Sequence, residues 1–241
     1  PDAIARHKDL KIVYSPIHGC GAKLVPMALR AFGFENVIKV DEQFVLSGDF
    51  PTVVSPNPEE SAALDLAIKK AKTVDADIVM ASDPDCDRIG IAVKNEKGEW
   101  VLINGNQTCM VFTYYLIKKW QELGKLKGNE YVVKTIVTTE LIKDIARKAN
   151  VELYDCYTGF KWIAAIMREN EGKKIYIGGG EESYGYLIED FCRDKDAVSA
   201  CAIMAEITAW AKDNGKTWLA LLQDLYVEYG LRQEQRRSRC T

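Results

Sequence analysis

The chain has 241 residues, of which 47% are hydrophobic and 28% charged, and a formal net charge of -3. That is enough for one large domain or two ordinary ones with real cores. The near-balanced charge excludes an electrostatic drive toward nucleic acid or an acidic membrane, so a small anionic ligand has to be held by a few local cations. Seven scattered cysteines without a C-x-x-C pair, and only His7 and His18 as imidazoles, argue against a disulfide framework, a zinc knuckle or a histidine-rich metal site. No apolar run reaches bilayer length, and the expected setting is soluble and cytoplasmic. The start at Pro1 and the basic stretch of Arg232, Arg236, Arg237 and Arg239 read as a piece of a longer protein with a disordered tail over 232–241.

Strand and helix signals alternate along the chain. KIVY at Lys11–Tyr14 is a short strand, and Val25, Ala28, Leu29 and Phe32 then recur at helical spacing until Gly33. Strand signals follow at Asn36–Val40 and Thr52–Val54. Asn57-Pro58-Glu59-Glu60 has the grammar of a helix start, with Asn57 as the cap, and Leu64, Ala67, Ile68 and Ala71 supply that helix's buried face. Strands are predicted at Asp77–Ala81, Ile89–Val93 and Trp100–Ile103, then a helix from about Asn106 to Leu123. Gly124–Asn129 reads as a linker. Beyond it come strand Tyr131–Val137, helix Glu140–Ala149, strand Val151–Asp155, helix Phe160–Asn170 and strand Lys174–Gly178, and two helices near Asp196–Lys212 and Thr217–Tyr226. The pattern predicts two consecutive three-layer α/β domains on largely parallel, mixed sheets, divided as 1–124 and 125–231. Ligands then belong at loops beyond the strand C-termini.

One such loop is Asp83-Pro84-Asp85-Cys86-Asp87-Arg88. Three carboxylates about 5 Å apart repel by roughly 3 kcal/mol per pair at an effective dielectric near 20. A hard dication removes that conflict, and magnesium suits an all-oxygen set completed by phosphate or water. Arg88 is placed to hold an anion sharing the metal. A second loop, Gly178-Gly179-Gly180-Glu181-Glu182-Ser183-Tyr184-Gly185-Tyr186, reads as a glycine-rich turn in which Glu181 and Ser183 offer an acceptor and a donor–acceptor suited to vicinal hydroxyls. Gly19-Cys20-Gly21 imitates half of a dinucleotide fingerprint, but Leu24 stands where its third glycine belongs. His18 either orders that turn or touches a ligand.

Taken together, DPDCDR, GGEESYGY, SPIHGCG, PNPEE, TGFKWI and RDKDAV resemble the α-D-phosphohexomutase superfamily, and the stretch resembles its second and third domains. The resemblance implies that Asp83, Asp85 and Asp87 bind Mg2+, that Arg88 supports the phosphoryl group, and that Glu181 and Ser183 hold sugar hydroxyls. It also implies that Thr158, Gly159 and Lys195 line the substrate site. The activity implied is interconversion of hexose 1-phosphate and hexose 6-phosphate through an enzyme phosphoserine and a bisphosphate intermediate. The family's first domain supplies that serine in a T-A-S-H-N-P-like motif and its fourth a phosphate clamp. Neither pattern occurs here, and Ser55 in SPNPEE only imitates the first. The fragment is therefore expected to be inactive alone, with the missing domains as its partners. Phosphopentomutase chemistry, a haloacid-dehalogenase-like phosphatase and a non-catalytic magnesium or sugar-phosphate module are the alternatives. In the phosphatase pattern threonine or valine commonly follows the paired aspartates closely, where this chain has Asp87 and Arg88.

Overall fold

Alternating apolar residues sort the strands into two sheets in the computed structural model, which describes residues 2–231. The first sheet comprises β1 (Ile12–Ser15), β2 (Val37–Lys39), β3 (Ile78–Ser82), β4 (Ile89–Lys94) and β5 (Trp100–Ile103), in the order β2-β1-β3-β4-β5. β1, β2 and β3 run parallel, while β4 and β5 are antiparallel additions, with Ser82 opposite Ile89 across the β3–β4 turn. The second sheet has β6 (Glu130–Thr135), β7 (Glu152–Cys156), β8 (Ile175–Gly180) and β9 (Tyr186–Ile188) in the order β7-β6-β8-β9, with only β9 antiparallel.

Period-two patterning decides which helix covers which face. On the first sheet Val13, Val79, Ala81 and Ala92 meet Ala63, Leu64, Ala67 and Ala71 of α3 (Ser61–Val74). The opposite face, including Ile12, Tyr14, Met80 and Ile91, shares its core with Val25 and Leu29 of α2 (Gly21–Phe32). It is also covered by α7 (Ala197–Asp213), which follows the second sheet in the chain but packs against α2, β3 and β4, and against the short α1 (Asp2–Arg6). On the second sheet Tyr131, Val133, Tyr176 and Leu187 bury against Phe160, Ile163 and Met167 of α6 (Phe160–Asn170). Val132 and Ile177 face the other way, toward α4 (Gly105–Glu122) and α5 (Leu141–Lys148). With α8 (Trp218–Tyr229), these helices knit one apolar core through both sheets.

The α/β organisation agrees with the sequence reading, and several local expectations do not. Thr52–Val54 forms no strand: Val54 is fully exposed, and Pro51 and Pro56 bracket the run, so its β-branched residues have no partner. Asn57 does not cap α3; its Oδ1 accepts from Glu59 N at 3.1 Å in a local turn, and Glu60 occupies the N-cap without its side chain capping a helix N–H. Gly178, Gly179 and Gly180 are not a turn but the end of β8. A Cβ on Gly178 would come within 2.6 Å of Leu116, and one on Gly179 would run into the Val133 carbonyl, so the glycines permit tight packing within the sheet and against α4. Residues 136–137 leave the predicted strand early, and α1 and β9 were not foreseen. The disordered tail expected at 232–241 lies outside the described residues. Among those described, no helix is long and apolar enough to cross a membrane.

Candidate active site

The β3–β4 turn carries the aspartates. Cys86 takes a left-handed conformation (φ 62°), and the Asp83 carboxylate turns inward so that Oδ1 accepts from Asp87 N at 3.0 Å and Arg88 N at 2.9 Å. Asp83 is buried, Asp87 half-buried and Asp85 exposed, and one ligand oxygen from each lies within 4.8 Å of the others. Burial pushes the Asp83 carboxyl up to about 7; the neighbouring charges of Asp87 and Asp85 add to the rise, while the N–H of Arg88 and that of Asp87 oppose it. Oδ1 of Asp87 is buried without a hydrogen-bond partner. An all-oxygen set with one unsatisfied buried oxygen fits a small hard cation, with Asp83, Asp85 and Asp87 as its holders.

Two cations share these carboxylates. Arg88 Nε lies 3.4 Å from Asp83 Oδ2 and 3.7 Å from Asp87 Oδ1, and its Nη1 is 3.5 Å from Glu59 Oε1. Lys195 Nζ is 2.6 Å from Asp87 Oδ2. Burial works against the charge of Lys195, but Asp87 outweighs it and raises the ammonium pKa. The β1–α2 loop backs the aspartate loop: Cys20 N donates to the Pro84 carbonyl at 2.8 Å, and a Cβ on Gly19 would strike the Pro84 backbone. Both His18 nitrogens are used inside the protein, on Val45 O at 2.7 Å and Thr52 Oγ1 at 2.8 Å. His18 therefore orders the turn.

The second loop abuts the first. Arg88 and Gly185 form an isolated antiparallel bridge, and Ile89 N donates to Tyr184 O at 3.1 Å. Glu181 is buried at the end of β8, and its Oε1 accepts from Gly159 N at 2.8 Å. Burial raises the Glu181 pKa; Glu182 adds to this, and the Gly159 N–H, Lys195 and Arg88 oppose it. Gly159 is needed for its backbone, since its φ of 107° at the start of α6 is a region that favours glycine. Thr158 beside it is exposed and Ser183 half-exposed. The stem of Lys195 lies against Gly185, where a Cβ would collide with it, so Lys195 spans from the second loop to the first.

Sequence reasoning missed the supports of this arrangement. Glu59 flanks Arg88, and Glu182 takes the hydroxyls of Thr135 and Thr138. Lys134 is fully buried, with Nζ 2.7 Å from Asp155 Oδ1 and 2.9 Å from Glu140 Oε1. Burial alone would lower the Lys134 pKa; the bonds to Asp155 and Glu140 raise it. A charged residue inside the otherwise uncharged predicted strand Tyr131–Val137 was the available signal for it.

Comparison with known proteins places this geometry. Residues 3–98 match the phosphoglucomutase/phosphomannomutase alpha/beta/alpha domain II and residues 104–229 match domain III. A phosphoglucomutase of Staphylococcus haemolyticus is 36% identical over 222 residues, covering 92% of this chain and 40% of that protein. A crystal structure described as a phosphomannomutase from Thermus thermophilus superposes with a TM-score of 0.73 at 21% identity, covering 95% of this chain and 50% of that one. The N-acetylphosphoglucosamine mutase of Aspergillus fumigatus, solved with GlcNAc-6P and magnesium, shares the fold with a TM-score of 0.57 at 14% identity, covering 91% of this chain and 51% of that one. The chain belongs to the phosphoglucomutase/phosphomannomutase family, as a stretch of the α-D-phosphohexomutase superfamily corresponding to domains II and III. It spans 40% of the length of the phosphoglucomutase relatives it matches.

Proposed function

We propose that this chain forms the metal and sugar side of a magnesium-dependent phosphohexomutase that interconverts hexose 1-phosphate and hexose 6-phosphate. The observation that carries the reading is the meeting of three convergent carboxylates, one oxygen of which is buried and unbonded, with the Glu181 loop across the Arg88–Gly185 bridge. The Aspergillus fumigatus mutase solved with GlcNAc-6P and magnesium supports the choice of ligand and ion.

Magnesium held by Asp83, Asp85 and Asp87 would supply charge stabilisation to a transferring phosphoryl group. The chain's own residues do the positioning. Arg88 and Lys195 bring two cations to the rim of the aspartate cluster, where a phosphate oxygen can exchange for a carboxylate partner. The Glu181 carboxylate, fixed through Gly159 N, keeps Oε2 for sugar hydroxyls, and Ser183 adds a donor–acceptor. Thr158 lines the same approach. A hydroxyl grip that tolerates two sugar orientations is what a 1,6-bisphosphate turning over between transfers requires. The serine that carries the phosphoryl group and the clamp for the distal phosphate are assigned to segments outside these 241 residues.

Two substitutions test this division of labour by calorimetry. Asp85→Asn is expected to weaken magnesium binding about tenfold and leave metal-independent binding of glucose 1-phosphate unchanged. Glu181→Gln is expected to weaken glucose 1-phosphate binding by roughly ten- to a hundredfold and leave magnesium affinity unchanged. Equal magnesium affinity in Asp85→Asn, or loss of magnesium binding in Glu181→Gln, overturns the assignment.

A further inference from the structure

The two consecutive glutamates of the sugar loop have different partners. Glu181 takes the Gly159 N–H of the β7–α6 loop. Glu182 is gripped from the second sheet: its Oε2 accepts from Thr135 Oγ1 at 3.0 Å and from Thr138 Oγ1 at 3.1 Å, and its own N–H donates to Thr138 Oγ1 at 3.2 Å. The two hydroxyls are 2.7 Å apart and the threonines are 0% and 2% exposed. Each hydroxyl has one proton. Whether both protons point at Oε2 or one bridges to the other threonine, the carboxylate takes at least one of them in a dry setting. On the opposite side the Glu182 carbonyl packs so closely on Gly105 that a Cβ there would overlap it. The turn that presents the threonines is itself fixed, because Lys134 Nζ donates to the carbonyls of Thr135 at 3.3 Å and Thr138 at 3.2 Å.

We infer that Glu182 is a positioning residue for the sugar grip: its carboxylate, seated on Thr135 and Thr138, fixes the loop so that Glu181 faces Gly159 and the cleft. Glu182 does not itself have to touch the sugar. The inference rests on the proposed sugar role of Glu181. Its mechanical content, that the Thr135–Thr138–Glu182 seat sets the Glu181–Gly159 contact, can be read without any sugar. A seat of part-buried charge-assisted hydrogen bonds on two buried threonines is stiff, and a ligand carboxylate displaced by even part of an ångström loses affinity for a rigid polyol.

The test uses the isotopically labelled chain with Thr138→Val, its conservative counterpart Thr138→Ser, and Glu182→Gln. The Gly159 amide proton resonance reports the charge-assisted bond to Glu181, and titration with glucose 1-phosphate reports the grip. Thr138→Val is expected to move the Gly159 resonance upfield and to weaken glucose 1-phosphate roughly tenfold, while the rest of the amide spectrum stays native. Thr138→Ser, which keeps the hydroxyl, restores both readouts, and Glu182→Gln falls between. An unmoved Gly159 resonance in a natively folded Thr138→Val overturns the inference. If Thr138→Val does not fold, Glu182→Gln decides by the same resonance. If Gly159 moves as expected but the wild-type chain takes up no glucose 1-phosphate, the positioning holds and the sugar assignment of Glu181 fails.

Discussion

Lys195 Nζ lies 2.6 Å from Asp87 Oδ2, so a residue that follows β9 of the second sheet closes an ion pair with a carboxylate between β3 and β4 of the first. The two family segments are thereby joined through the candidate metal site itself. The same ammonium is offered to Asp87 and to any anion in the cleft, and it stands beside the seat of the proposed dication.

The first prediction follows from that placement. An ammonium about 5 Å from a dication in a largely hydrated site opposes it by roughly 1–2 kcal/mol. Lys195→Met is therefore expected to tighten magnesium binding about fivefold and to weaken glucose 1-phosphate binding about tenfold. Isothermal calorimetry with each ligand separately reads both effects, and movement of the two affinities in the same direction contradicts the placement.

Gly19 tests the backing of the metal loop. Its α-hydrogen faces the Pro84 backbone at a distance that leaves no room for a methyl group. Gly19→Ala is expected to cost about 1–3 kcal/mol of stability by overpacking. It should also weaken magnesium binding, because Pro84 can retreat only by moving Asp83 and Asp85. Denaturant unfolding and calorimetry check the two halves, and a stable variant with normal metal affinity refutes the coupling.

Glu130 sets part of the acid limit. Burial alone would raise its pKa, but the N–H groups of Lys127 and Gly128, at 2.8 Å and 2.9 Å, hold it below the usual carboxylate range. A lowered folded pKa contributes stability that is present above the unfolded value near 4.3 and disappears as pH falls through the folded value. Glu130→Gln is thus expected to lower the melting temperature at pH 7 by roughly 2–4 °C and to flatten its decline below about pH 4.3. Parallel melting curves from about pH 7 to about pH 2.5 for the two proteins would contradict this.

Ser55 offers a check on the proposed placement of the phosphoryl-carrying serine outside these residues. Its hydroxyl donates to Glu60 Oε1 at 2.8 Å ahead of α3, and in the proposed mechanism it carries no phosphoryl group. The purified chain is expected to give no conversion of glucose 1-phosphate in a coupled dehydrogenase assay with magnesium. Turnover that disappears in Ser55→Ala reverses that reading.

The convergence of Asp83, Asp85 and Asp87 was legible in the sequence because its chemistry is local: three aspartates, a proline and an arginine between two strands. The glycine run was misread for the opposite reason. Gly178 and Gly179 owe their identity to Leu116 and Val133, far away in the chain, and a run of glycines looks the same whether it turns or admits a neighbour. Thr52–Val54 shows the reverse failure, since β-branched residues without a strand to pair with stay irregular. The contacts that join Lys134, Thr135, Thr138 and Glu182 were not legible because a polar network is defined by who meets whom. Spacing does not show that Thr138 and Glu182, 44 positions apart, share hydrogen bonds.

Helix α7 bears on heredity as well as on packing. It belongs to the polypeptide's second segment but roofs the sheet of the first, over Met80 and Ile91. A gene cut at the boundary near residue 103 would yield an amino-terminal product with an open greasy face and a carboxy-terminal product carrying a helix without its bed. An exchange that separated the two modules would therefore strip apolar cover from both, whereas one that moved them together would keep it.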